Sequence, residues 1–140
     1  MKHNQPITKI MSTGLITVHL GEPVSKVRKL LREHGIHHVP VVSGHELLGI
    51  ISASDILRIS FGDTFETDER TVDATLDHTM TLEDVMQKNV RTLRKNATIR
   101  DAAEVLVKGD FHAVPIVDAD DKTLVGMVTS TDLIRHLLEA

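Results

Sequence analysis

The chain has 140 residues, a formal net charge of −4 at pH 7 and no cysteine, with 41% hydrophobic and 26% charged residues. That length allows one domain or two small ones around a packed core, and the missing cysteines remove disulfides, thiol catalysis and Cys-ligated zinc. Dispersed basic residues and an aromatic content of 2% argue against a nucleic-acid footprint or a base-stacking platform. No apolar run of about 18 residues is present, so no transmembrane helix is expected. The N-terminal Met1-Lys2-His3-Asn4-Gln5-Pro6 lacks the apolar core of a signal peptide, and a cytoplasmic location is the expectation.

Taken in order, Ile7, Ile10 and Met11 suggest a short helical turn, Gly14 breaks it, and residues 15–18 read as a first strand. Pro23 suits a first helical turn. Val24, Val27, Leu30, Leu31 and His34 then share one helical face, and Gly35 is a natural stop. Residues 36–42 read as a strand whose Pro40 implies an edge position or an irregular ladder. A turn at 43–46 leads to a third strand at 47–51, making an antiparallel hairpin, and a helix from about Ser54 to Ser60 closes the unit. Residues 62–80 break the pattern. Asp63, Glu66, Asp68, Glu69 and Asp73 crowd a weakly periodic stretch, which reads as a linker with a helical turn around 68–76 and a solvated acidic face.

The chain then repeats. Met11 and Met86, Thr17 and Thr92, His37 and His112, and Pro40 and Pro115 are each 75 residues apart. Gly49 and Gly126, Asp55 and Asp132, and Arg58 and Arg135 are each 77 apart, the two extra residues falling in the hairpin turn at 118–122. Registers kept on both sides of an insertion indicate an internal duplication. Thr98-Ile99-Arg100-Asp101 opens the second copy's helix as a capping box, with Ile99, Ala102, Ala103 and Leu106 on its apolar face. The organising element is Gly49-Ile50-Ile51-Ser52-Ala53-Ser54-Asp55 and its copy Gly126-Met127-Val128-Thr129-Ser130-Thr131-Asp132. An apolar strand end followed by hydroxyl residues predicts a strand-to-helix turn whose free backbone N–H groups suit a phosphate. The domains are expected at 1–62 (with the lead-in segment), an acidic linker at 63–80, and 81–140. The fold class is α/β, each half strand-helix-strand-strand-helix. Halves of about 55 residues are marginal alone, so their sheets are expected to pack together with pseudo-twofold symmetry.

Val39-Pro40-Val41 and Val114-Pro115-Ile116, each followed by the Gly-x-x-Ser/Thr-x-x-Asp turn, resemble the cystathionine-β-synthase (CBS) domain, here as a tandem pair covering about residues 7–138. The resemblance implies a stand-alone regulatory sensor rather than an enzyme. It would have no catalytic cofactor, and its ligand would contain adenosine: AMP, ADP or ATP, extending to S-adenosylmethionine and NAD. Binding in clefts between the repeats would pass a signal on by conformational change to an unidentified protein effector. A homodimer is implied as well. The alternative is a structural or partner-binding module with empty clefts and the acidic linker as its contact surface.

Each site assignment keeps two readings. By spacing, Ser52-x-x-Asp55 and Thr129-x-x-Asp132 are capping boxes; the resemblance makes Asp55 and Asp132 bidentate acceptors for ribose hydroxyls. Ser52, Ser54, Thr129 and Thr131 are caps or contacts to ribose and phosphate, and a cap uses only one hydroxyl per turn. Arg58 and Arg135 either balance phosphate charge or pair with the aspartate three residues earlier. His37, His38 and His112 lie on the proline-bearing strand, which in the family carries a basic residue toward phosphate. Ala113 stands where the first repeat has His38, so the two sites are expected to differ. By resemblance, Leu15, Ile16 and Thr17 would flank adenine in the Asp132 cleft, and Val90, Arg91 and Thr92 in the Asp55 cleft; plain core is the other reading for the apolar members. His34, His37 and His38 invite a metal, but Gly35 breaks the helix between them and no nearby carboxylate completes a set, so none is expected. Asp118-Ala119-Asp120-Asp121 lacks the glycine and glutamate of a calcium loop and reads as a polar turn. Phosphate-loop, dinucleotide, zinc-protease and nucleophile-elbow motifs are missing.

Overall fold

The computed structural model describes residues 4–60 and 68–139; residues 1–3 and the linker positions Gly62, Asp63 and Glu66 read above lie outside them. A short 3-10 turn at Ile7–Lys9 precedes the first repeat, which runs β1 (Val18–His19), α1 (Val24–His34), β2 (His38–Ser43), β3 (Glu46–Ser52) and α2 (Ala53–Ser60). Then come α3 (Glu69–Thr79) and α4 (Leu82–Val85), followed by β4 (Leu93–Arg94), α5 (Ile99–Leu106), β5 (Ala113–Val117), β6 (Leu124–Thr129) and α6 (Ser130–Glu139). The expected order of strand, helix, strand, strand, helix is present twice, in sheets ordered β1-β2-β3 and β4-β5-β6. In each, the strands flanking the crossover helix pair in parallel. β5 and β6 are antiparallel. The two-residue link Gly44-His45, with Gly44 at φ 61, joins β2 to β3 and permits only an antiparallel pair. The helix signals read from the sequence hold. Gly35 ends α1 in the left-handed region at φ 60, and Thr98 and Asp101 cap α5 reciprocally.

The first strand of each repeat is only two residues long. Residues 15–18 were expected as a strand, but only Val18 and His19 pair, with Val41 and Val42; β4 likewise pairs only Leu93 and Arg94, with Ile116 and Val117. Proline supplies the reason. Val42 accepts from Leu20 N–H, and Val117 from Lys95 N–H, so these residues, and those two earlier, face the parallel neighbour. The residues two earlier are Pro40 and Pro115, which have no N–H to donate, and the ladder stops there. Both prolines sit in central strands, not at edges; of the two readings of Pro40, the irregular ladder is the one observed.

Two compact units emerge, one of residues 1–15, 45–47 and 90–140, the other of residues 16–44 and 48–89. They do not follow the repeats, because each lead-in segment packs in the unit of the other repeat's sheet. Ile7, Ile10 and Met11 join the core of Val114, Ile116 and Val128. Val85 and Met86 join that of Val39, Val41 and Ile51. Backbone bridges fix both placements: Ser12 N–H to Met127 O at 2.9 Å and its return at 3.0 Å, and Gln87 N–H to Ile50 O at 2.9 Å and its return at 3.1 Å. The glycine of each motif is required here. A Cβ on Gly49 would stand 2.6 Å from the Gln87 carbonyl oxygen, and one on Gly126 would stand 2.9 Å from that of Ser12.

The described carboxylates of the acidic linker have partners within the fold. Asp68 caps α3 by accepting from Thr71 N–H at 2.8 Å. On the next turns Glu69 pairs with Arg32, Asp73 with Arg28, and Asp77 accepts from the Ser25 N–H and hydroxyl. Residues 69, 73 and 77 share one face of α3, and 32, 28 and 25 one face of α1, in reversed order, so two antiparallel helices meet along a charge stripe. Leu76 is buried beneath it. Of the linker carboxylates singled out in the sequence, Glu69 and Asp73 match the basic face of α1. The Arg28 side chain is 13% exposed, so Arg28→Ala should cost about 1.5–3 kcal/mol in urea unfolding. The Arg28→Ala/Asp73→Ala double variant should cost less than the sum of the singles.

Candidate functional site

The two strand-to-helix turns are built alike. In the first, Asp55 Oδ2 accepts from Ser52 N–H at 2.9 Å and Ser52 Oγ accepts from Asp55 N–H at 3.0 Å. In the second, Asp132 Oδ2 accepts from Thr129 N–H at 2.8 Å and Thr129 Oγ1 accepts from Asp132 N–H at 3.1 Å. The capping box is therefore present in both copies. Arg58 donates to Asp55 Oδ1 at 2.8 Å and Arg135 to Asp132 Oδ1 at 3.2 Å, so both arginines form the i, i+3 pair.

The backbone also ties each turn to the proline-bearing strand. Ala53 N–H donates to the His37 carbonyl at 2.8 Å, and Ser130 N–H to that of His112 at 3.0 Å. This corrects the expectation of free N–H groups. In each copy the first and third helical N–H groups already have protein acceptors, because the connection is tight enough for the strand's carbonyl to reach the helix start. His37 and His112 are thereby held beside the turns with exposed side chains, and His38 is half-buried at the start of β2. Ser54 and Thr131, the hydroxyls the caps do not use, are exposed on the first helical turns.

The aspartates differ. Asp55 is 2% exposed, and its Oδ1 is also approached by the Gln87 amide at 3.5 Å. Burial pushes its carboxyl up, but the bonds from Ser52, Arg58 and Gln87 outweigh this and hold it below its ordinary value. The Asp132 side chain is 11% exposed. Gln87 went unnoticed in the sequence. The signal was there: the offset of 75 sets it opposite Ser12, a polar mismatch in otherwise matching segments.

Leu15, Ile16, Thr17, Val90 and Thr92 are half-buried and Arg91 is exposed, all outside the strands. Leu15 and residues 90–92 belong to the unit that holds Asp132; Ile16 and Thr17 belong to the unit that holds Asp55. The hairpin turn is polar, as read: Asp120 Oδ1 accepts from Lys122 and Thr123 N–H, both at 2.9 Å, and these bonds with the Thr123 hydroxyl draw its pKa down to about 2. Among the described residues, no group of three or more His, Asp or Glu is arranged to hold a metal ion, and no helix is long and apolar enough to cross a membrane.

A buried, fully paired carboxylate matters more to folding than a partly exposed one. Asp55→Ala should cost about 1–3 kcal/mol and Asp132→Ala about 0.5–2 kcal/mol. Because the Asp55 pKa is lowered in the folded state, its contribution is complete above the ordinary value of 3.8 and is lost as pH falls through the folded value. Urea titrations of both variants from pH 7 to pH 2.5 should show the Asp55→Ala deficit shrinking over that interval.

The chain spans less than half the length of the curated relatives it matches. One is the L-aspartate semialdehyde sulfurtransferase of Methanocaldococcus jannaschii, 32% identical over 134 residues, which are 93% of this chain and 23% of that protein. Among solved structures, the CBS-pair protein CBSX2 from Arabidopsis thaliana superimposes with a TM-score of 0.80 at 26% identity, covering 97% of this chain and 96% of that one. The CBS domain pair of protein MJ0100, in complex with 5′-methylthioadenosine and S-adenosyl-L-methionine, gives a TM-score of 0.76 at 29% identity, covering 96% and 97%. The CBS domain family model matches residues 7–62 and 82–139. Two matches of that extent, on two copies of one element order and one turn, make the chain a member of the CBS domain family, as a tandem pair.

Proposed function

We propose that the chain is a regulatory module that takes an adenosine-containing ligand at its strand-to-helix turns. The observation that carries the reading is Asp132, a carboxylate fixed by backbone on one oxygen and paired only at the surface on the other. The exposed Thr131 hydroxyl shares its helical turn, and the His112 carbonyl accepts from the residue two before it. Such a group can accept from both hydroxyls of a ribose. The similar pair of MJ0100 was solved with two adenosine derivatives, which supports the ligand class; AMP, ADP, ATP and NAD share the same adenosine part. Leu15, Ile16, Thr17, Val90, Arg91 and Thr92 are the candidates to flank adenine. Phosphate contacts would fall to His37, His38, His112, Arg58 and Arg135. Both arginines already pair with the aspartates, so a phosphate would have to share or displace them. No catalytic step belongs to the proposal. The signal is conformational and no larger than the ligand's differential affinity for two states.

A second reading, a dimerisation module, draws on α6, where Ile134, Leu137 and Leu138 are 59%, 73% and 82% exposed. A homodimer in the cytoplasm, acting on a separate effector protein, is compatible with both. Among the described linker residues, Asp68, Glu69 and Asp73 have intramolecular partners, which draws these three away from the partner-binding alternative.

Calorimetry of stripped protein with AMP, ADP, ATP, S-adenosylmethionine and NAD tests the proposal. At least one should bind with a Kd below about 1 mM, and Asp132→Ala should weaken that binding while leaving the protein folded. Failure of every ligand would remove the sensor reading.

A further inference from the structure

We infer that Gln87 closes the Asp55 turn, so that the Asp132 turn is this chain's single ribose-accepting site; this rests on the ligand reading above. The backbone makes the comparison between the turns direct. Gln87 bridges Ile50, and Ser12 bridges Met127, with N–H to O distances of 2.9 to 3.1 Å throughout. Ile50 and Met127 are equivalent positions of the two motifs, so Gln87 and Ser12 stand at the same place beside equivalent carboxylates. What differs is the side chain. The glutamine amide reaches Asp55 Oδ1 at 3.5 Å, on the oxygen that also takes Arg58 at 2.8 Å, and Asp55 is left 2% exposed. A serine hydroxymethyl is too short to do the same, and the Asp132 side chain keeps 11% of its surface. At 3.5 Å the amide is at the outer limit of a hydrogen bond, so it acts as much by covering the carboxylate as by bonding to it.

A carboxylate offers about four lone-pair sites. At Asp55 one oxygen serves Ser52 N–H and the other serves both Arg58 and Gln87, and the residue is 2% exposed. A ribose there would have to expel the amide and pay the cost of leaving it or the carboxylate unpaired. At Asp132 a ribose need only share or displace Arg135, which is 60% exposed. The difference between His38 and Ala113 points the other way, toward stronger phosphate handling in the first repeat. A probe without phosphate separates the two effects, and 5′-methylthioadenosine is such a probe.

The experiment is calorimetry of the whole chain with 5′-methylthioadenosine, on wild type, Gln87→Ser and Ser12→Gln. Both substituted positions are exposed, and thermal unfolding confirms that each variant is folded. Wild type should bind one equivalent per chain, lost in Asp132→Ala and kept in Asp55→Ala. Gln87→Ser should bind two equivalents. Ser12→Gln should weaken the single site by at least about 10-fold. Two equivalents on wild type, unchanged by Gln87→Ser, would overturn the role of Gln87 and leave the ligand reading standing; so would a single site abolished by Asp55→Ala. No binding of this nucleoside or of AMP to any of the three proteins would remove the ligand reading itself, and this inference with it.

Discussion

The structure depends on the reciprocal exchange between a hydroxyl and a carboxylate where a strand turns directly into a helix. Ser52 and Asp55, and Thr129 and Asp132, each satisfy the other's backbone N–H. A further N–H is taken by the carbonyl of the histidine before the proline-bearing strand. Three groups that would otherwise need water or ligand at a helix start are thus satisfied by protein. The aspartate is committed to the fold before any ligand arrives, and only the lone pairs that remain can have a functional role. Capping and ribose acceptance are sequential demands on one carboxylate, compatible where an oxygen stays accessible and in conflict where it does not.

The surroundings of each turn follow from that commitment. A strand feeding straight into a helix leaves its last residues open to another backbone, and the glycine at each motif's head lets one approach. The lead-in segments 7–12 and 82–87 fill those positions, with Met11 and Met86 laid over the glycines. Because the segment that follows the first repeat closes the first repeat's turn, the residue that meets Asp55 comes from a stretch far from it in sequence. That stretch is positioned by α3 and α4. The charge stripe from α1 to α3, with Leu76 beneath it, therefore bears indirectly on the Asp55 turn, by fixing the chain that delivers Gln87.

Most of the architecture was legible. Periodicity, Gly35, the Thr98 cap and the paired offsets of 75 and 77 located the elements, because each rests on local chemistry that a sequence displays. Three features were not. The first strand looked four residues long because Leu15, Ile16 and Val18 are apolar, yet ladder length is set by the partner, and Pro40 and Pro115 withhold the donor. The acidic linker looked solvent-facing because charge pairing across helices is a tertiary fact; the complementary residues lie about 45 positions earlier. At the site, the sequence displays every motif residue, and Ser/Thr-x-x-Asp supports both a cap and a ribose acceptor. Spacing cannot tell whether a carboxylate is covered. That depends on Gln87, which lies outside the motif and is visible only as a mismatch with Ser12 once the register is known.

The central claim is that two turns with the same cap differ in whether their carboxylate can take a ligand. Side-chain carboxyl carbon resonances of Asp55 and Asp132 report this residue by residue during a titration with 5′-methylthioadenosine at neutral pH. The Asp132 resonance should move with saturation while that of Asp55 stays in place. Movement of Asp55 alone, or of both by equal amounts, would contradict the account.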